Sequence, residues 1–176
     1  MSAFALSLLL VATPWREFAP GLEYVALPYG DPTQVADPRL HVVRFDPQRM
    51  SLKPVVAALE DGQKRTAAQW AEREGLAVAI NLGMFELDHS SNVGHLRIGE
   101  QQLQPRWHAG HRSTLVWCPK RPVQIVDLDP PGERPDFARC EWVIQNLRVL
   151  KGEGTNVWPK RNQRWSEAAI GQDRAG

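Results

Sequence analysis

The sequence predicts an α+β fold, a mixed or antiparallel β-sheet with few helices in a single domain. Three observations predict it. Thirteen glycines and fourteen prolines in 176 residues interrupt the chain too often for a helical bundle. Apolar segments are short and recur between turn signals, as strands do. One stretch, Thr66 to Gly75, carries both the period and the end signals of a helix. Many short strands beside one clear helix point away from a doubly wound parallel sheet.

The first residues stand apart. Ala3 to Ala12 (AFALSLLLVA) is an apolar run of ten, too short to span a bilayer, which takes ~20 residues. It matches the apolar region of a secretory signal, with Ala12 and Thr13 before Pro14, although no Lys or Arg precedes it. Residues 1–14 are expected to be a signal segment, the alternative being a buried first strand or helix. The expected location is periplasmic or secreted, with no stable membrane span, and the domain occupies residues 15–176.

Leu22–Leu27 (LEYVAL) reads as a strand between Pro20-Gly21 and Pro28, and a turn-rich loop runs on to Arg39. Leu40–Phe45 (LHVVRF) is a second strand, Asp46-Pro47 a turn, and Ser51–Ala57 the expected hairpin partner. Thr66 and Gln69 form a capping-box pattern. Ala67, Trp70, Ala71 and Glu74 share one helix face, and Gly75 supplies the stop. Leu76–Ile80 (LAVAI) is wholly apolar and is expected to be a strand buried on both faces. Gly94–Ile98, Ser113–Trp117, Val123–Asp127, Glu141–Gln145 and Arg148–Leu150 read as short strands. Lys151–Arg164 reads as a long polar loop and Ala168–Gly171 as the start of another strand. The chain then reaches the turn-like Asp173-Arg174-Ala175-Gly176, so the domain is expected to be incomplete at its C-terminal end.

Charge excludes some functions. A formal net charge of +1 and no block of like charges argue against a nucleic-acid partner. Cys118 and Cys140 read either as a disulfide of an oxidising compartment or as two buried thiols, with thiols as the default. His89, His95, His108 and His111 lie close in sequence, but they fall in loops without helical spacing, and no HExxH is present. They are expected to be solvated loop histidines, with no metal and no cofactor. Trp107, Trp158 and Trp165 are expected to pack, although such rings also stack on sugars.

Three segments offer chemistry. In Asn81–Gly99 (NLGMFELDHSSNVGHLRIG) a polar Asn ends an apolar run, and Glu86, Asp88 and His89 follow it. Asn81 and Gly83 could equally be turn formers. In Ile144–Leu150 (IQNLRVL), Gln145, Asn146 and Arg148 interrupt apolar neighbours. Arg148 could hold a phosphate through its planar fork or snorkel to solvent. In Trp165–Gly176 (WSEAAIGQDRAG), Glu167 and Asp173 flank a run of small residues.

Together these motifs, NLGMF, then the spaced glycine of Ser91-Asn92-Val93-Gly94, then QNLRVL, then AAIGQDRAG, resemble the phosphodiester glycosidase family over about residues 20–176. The resemblance implies hydrolysis of a sugar joined through its anomeric carbon to a phosphodiester. It carries over Asn81, Gly83, Phe85, Gly94, Gln145, Gly171, Asp173 and Gly176. Two departures stand out. Many members carry Arg where this chain has Glu167, so Arg148 is the expected anion holder here. The acidic Gly-Gly motif near the members' C-terminus is absent, so a chain lacking it is expected to have an incomplete site. Glycosyl transfer to water uses two carboxyl groups around an oxocarbenium-like transition state. Asp88 and Asp173 are the expected pair, with Asn81, Gly83, Phe85, Gly94, Gln145 and Arg148 binding a carbohydrate or glycosyl-phosphate substrate. A non-catalytic carbohydrate-binding module of the cell envelope is the alternative, and a structural envelope domain without ligand a third.

Overall fold

The computed structural model describes residues 14–29, 37–129, 135–152, 154–158 and 168–173. Of the expected signal segment only Pro14 is among them, and Trp165, Glu167 and Gly176 also lie outside the described residues. The chain divides into two compact units, residues 1–52 and 53–176. All strand pairings are antiparallel and there is one α-helix among the described residues, so the fold is α+β with few helices.

The first unit is a three-stranded sheet, β1 (Arg16–Ala19), β2 (Leu22–Pro28) and β3 (Arg39–Phe45), in that spatial order. Gly21 turns the first hairpin at φ 79°, a conformation glycine adopts without steric penalty. Leu22 and Val25 of the central strand are buried. The expected partner Ser51–Ala57 forms no strand. Ser51–Val56 is irregular and Ala57–Leu59 is a single 3₁₀ turn. Pro54 sits inside that segment and cannot donate to a ladder, and the Asp46 carbonyl takes the N–H groups of Arg49 and Met50 in a local turn.

The second unit opens with α1 (Ala67–Glu74). Its capping box is complete: Thr66 Oγ1 accepts from Gln69 N–H at 3.3 Å, and Gln69 Oε1 accepts from Thr66 N–H at 2.9 Å. Gly75 ends the helix in the left-handed region at φ 64°. The helix buries none of its residues. It is held at the surface by charge, through the Lys53–Glu74 pair at 2.7 Å and the guanidinium of Arg65 over the Trp70 ring at 4.7 Å.

The expected buried strand Leu76–Ile80 is not one. It is irregular, with Val78 39% and Ile80 42% exposed. A strand buried on both faces needs neighbours along both edges, and among the described residues none pairs with this segment.

The main sheet has the order β5-β4-β8-β6-β7. Its strands are β4 (Leu96–Ile98), β5 (Gln101–Gln104), β6 (Ser113–Trp117), β7 (Gln124–Asp127) and β8 (Trp142–Asn146). Strand β8 lies in the middle and buries its first four residues. The apolar core gathers Val116, Cys118, Val126, Cys140 and Val143, with Phe137 packed on it. Arg97 fastens the segment before β8, donating from Nη2 to the carbonyls of Phe137 (2.5 Å) and Cys140 (2.8 Å). A hairpin of β9 (Leu150–Lys151) and β10 (Thr155–Asn156) forms inside the stretch expected to be a loop. Ala168–Gly171, expected to start a strand, is irregular.

Cys118 and Cys140 are joined in a disulfide, in place of the expected thiols. The bond ties the residue after β6 to the turn that leads into β8, across a sequence separation of 22. Closing a loop of that size restricts the unfolded chain by about 3 kcal/mol. The double variant Cys118→Ser/Cys140→Ser is expected to lose stability of that order in urea unfolding, and an unchanged midpoint would show that the crosslink contributes nothing.

Candidate functional site

The stretch from Gly83 to Gly94 folds back on itself. Phe85 bridges Asn92, Val93 N–H donates to the Met84 carbonyl at 2.8 Å, and Glu86 N–H donates to the Ser91 carbonyl at 2.9 Å. Asp88 shapes the tip. Its carboxylate accepts from Ser90 N–H (2.7 Å), Ser91 N–H (2.8 Å) and the Ser91 hydroxyl (2.6 Å). These bonds, the Ser91 hydroxyl foremost, hold its pKa down to about 2. At the base, Gly83 (φ 83°) lies so close to Asn92 that a Cβ would strike the Asn92 Oδ1. Asn92 is buried, donating from Nδ2 to the Gly94 carbonyl at 2.6 Å, while its own carbonyl accepts from Gln104 Nε2 at 3.0 Å.

Gly94 in turn abuts β8. A Cβ there would lie 2.8 Å from Gln145 Oε1 and 3.2 Å from His111 Nδ1. Gln145 is 1% exposed, and every hydrogen-bonding site of its carboxamide is used. Oε1 accepts from His95 N–H (3.0 Å) and His108 N–H (2.9 Å). Nε2 donates to the carbonyls of His108 (2.9 Å) and His111 (2.7 Å). The main-chain partners fix the amide orientation, since the reversed amide would set donors against donors. One side chain thus closes the loop between β5 and β6 onto the middle of the sheet.

The histidines around this amide are not uniformly solvated, as the sequence led us to expect. His95 and His111 are buried, while His89 and His108 are exposed. The His95 ring stacks on Trp107 at 4.4 Å and 4°, and Trp107 stacks on Phe137 at 5.4 Å. Trp107 therefore packs, as expected, despite an exposed edge. The rings of His108 and His111 lie 4.2 Å apart. Burial, with a smaller contribution from His108, pushes the His111 imidazole below its ordinary pKa. The Nδ1 of His111 and the hydroxyl of Thr114, which faces Gln145 across the β6–β8 ladder, are both buried without a hydrogen-bond partner. Among the described residues no group of three His, Cys, Asp or Glu side chains could hold a metal ion.

Arg148 is neither an open anion holder nor a snorkelling side chain. It is 12% exposed, and its Nη1 donates to Asp127 Oδ1 at 2.5 Å and Asp129 Oδ2 at 2.9 Å. Lys151 joins the same cluster, 3.1 Å from Asp129. Lys151 and then Arg148 hold the Asp129 carboxyl below its ordinary range. Trp158 donates from its indole to the Arg148 carbonyl at 3.1 Å.

Of the residues singled out from sequence, Gly83, Phe85, Gly94 and Gln145 form one chain of contacts running through Asn92. Asp88 belongs to the tip of the same hairpin. Asn81, Gly171 and Asp173 are exposed in irregular segments, and Arg148 belongs to the neighbouring ion cluster. Sequence reasoning missed Asn92 and Thr114 and took His95 and His111 for solvated residues, although these are four of the five buried polar residues. The available signal was the apolar run Leu115–Trp117 after Thr114 and the glycine two residues beyond Asn92. Comparison with protein-family models, with curated proteins and with solved structures returned no match.

Two outcomes follow from this geometry. Gln145→Leu strands two N–H groups and the His111 carbonyl, while the His108 carbonyl keeps only its bond from His111 N–H at 3.2 Å, and each stranded group costs about 1–3 kcal/mol. It is therefore expected to lower the urea midpoint severely, and a loss under about 1 kcal/mol would contradict the hydrogen-bond account. For His111 the folded-state pKa lies below the unfolded one, so the unfolded chain takes up the proton first as pH falls. The stability is complete above the ordinary value near 6.5 and declines as pH drops from there toward the depressed folded value. Urea unfolding at pH 7.5 and 5.0 checks this, with His111→Phe expected to flatten the decline.

Proposed function

We propose that this chain is a hydrolase acting on a sugar attached through its anomeric carbon to a phosphodiester. One observation carries the proposal: Gly83, Gly94 and Gln145, which bear the resemblance to phosphodiester glycosidases and lie far apart in sequence, are in contact through Asn92. The close approaches give a physical reason for glycine at both positions and for an amide at 145. The disulfide also fits a periplasmic or secreted protein, since such bonds persist in oxidising compartments.

In the proposed reaction the bond between C1 and the phosphate oxygen breaks, and its electron pair leaves with the phosphomonoester. Water supplies the hydroxyl to C1 and gives up a proton. A phosphate leaving group needs little protonation, so a strong acid is not required. Asp88, ionised down to about pH 2, suits the stabilising or nucleophilic carboxylate rather than the proton donor. Asp173 is the proposed second carboxylate. Gln145 acts by positioning, because its carboxamide has no capacity left for substrate. Asn81 and Phe85, both exposed, are the proposed substrate contacts at the base of the hairpin.

The test uses glucose joined at C1 to methyl phosphate, with free glucose and methyl phosphate followed by NMR. Release is expected from the wild-type chain, with Asp88→Asn and Asp173→Asn each lowering turnover by about 100-fold or more. Full turnover in both variants removes these carboxylates from the mechanism. Binding of the ester without release favours a carbohydrate-binding module instead, and neither binding nor release removes the proposal.

A further inference from the structure

We propose that the loop Arg106–Arg112 is a phosphate-facing loop, in which the Nε2–H of His108 donates to the phosphoryl oxygens of a bound glycosyl phosphate. The ligand class rests on the hydrolase proposal above, whereas the loop's geometry stands apart from it. The sequence assigned the anion to Arg148, but two aspartates already neutralise that guanidinium. The loop RWHAGHR carries two arginines and two histidines with no acidic residue of its own, although Arg112 lies 3.8 Å from Asp129. Its backbone is fixed from below. Gln145, itself almost fully buried, binds both the N–H and the carbonyl of His108 at 2.9 Å. An exposed imidazole is thereby mounted on an immobile stretch of main chain, which spares the ordering entropy of a free loop on binding.

The tautomer is fixed as well. Gly110 N–H donates to His108 Nδ1 at 3.2 Å, so the ring proton of the neutral imidazole resides on Nε2. On one side Trp107 is locked in the His95 and Phe137 stack. On the other, His111 presses its ring to within 4.2 Å, and its buried Nδ1 has no hydrogen-bond partner.

Glucose 1-phosphate and inorganic phosphate, titrated separately into the wild-type chain, His108→Ala and His108→Gln, provide the test, with binding read by calorimetry. The wild type is expected to bind glucose 1-phosphate more tightly than phosphate. His108→Ala should weaken it about tenfold or more, the loss of one hydrogen bond to a charged group. His108→Gln should recover part of the loss, because its amide N–H reaches the place of the imidazole Nε2–H. Thermal midpoints should hold, since the Gln145 anchor binds only main-chain atoms of His108. No binding by the wild type up to ~10 mM overturns the proposal. So does unchanged affinity in His108→Ala, and equal affinity for both ligands removes the sugar from it. Because glucose 1-phosphate is not a diester, the outcome is separable from turnover. His108-dependent binding without cleavage of the methyl ester sinks the hydrolase proposal alone, and cleavage with His108-independent binding sinks this one alone.

Discussion

The carboxamide of Gln145 is the constraint on which the second unit depends. A buried amide in the middle of a sheet is costly unless all of its sites are satisfied. Here the main chain of three histidine residues satisfies them. The exchange works in both directions. The loop between β5 and β6 obtains partners for three main-chain groups and the residue before β4 for a fourth, and the amide obtains a fully paired interior. No other side chain of that size offers two acceptor and two donor sites in one plane. A glutamate would carry repulsion to two carbonyls, and a hydrophobe would leave three of the four groups unpaired, only the His108 carbonyl keeping a bond from His111 N–H. The adjoining glycines follow from the same crowding, since Gly94 leaves the space that the amide oxygen fills.

Charge is distributed differently from polarity in this unit. Cations and carboxylates gather in clusters at the surface, as with Arg65 and Arg73 on Asp61, and Arg148 and Lys151 on Asp129. The more exposed pairs of this kind contribute little individually, whereas Arg148 is largely buried. The interior around Gln145 instead holds neutral polar groups: Asn92, Thr114 and an imidazole that burial discourages from charging. Such an interior can meet an anion with oriented dipoles without first breaking an ion pair. That contrast separates Arg148, charged but engaged, from His108, exposed and preset.

Much of the fold was legible because local signals and tertiary outcome agree. Thr66, Gln69 and Gly75 announced α1, and the turn residues around Pro119-Pro122 announced the β6–β7 hairpin. Leu76–Ile80 was misread because an apolar run specifies burial only where partners exist, and their presence is a property of the whole chain. Strand β5, Gln101–Gln104, escaped notice because three of its four residues are glutamines, a composition unlike that of strands. At the site, Gly83, Gly94 and Gln145 were legible as a pattern but not as a mechanism of packing. The burial of His95 and His111 was not legible at all, since the Trp107 ring on His95 is backed by Phe137 and the main chain of both histidines is held by Gln145, both far along the sequence.

The spatial order β5-β4-β8-β6-β7 places the latest of these strands at the centre. The two hairpins β4–β5 and β6–β7 can each close locally as they are made, yet neither can adjoin the other. Until β8 arrives, each presents a strand edge with unsatisfied main-chain groups, the surface most prone to pairing with another molecule. The middle of the sheet is thus a slot filled by long-range closure, a slow kind of contact to make. The amide that organises the polar interior enters with that closing strand, so the histidine loop cannot reach its final form before the sheet is whole.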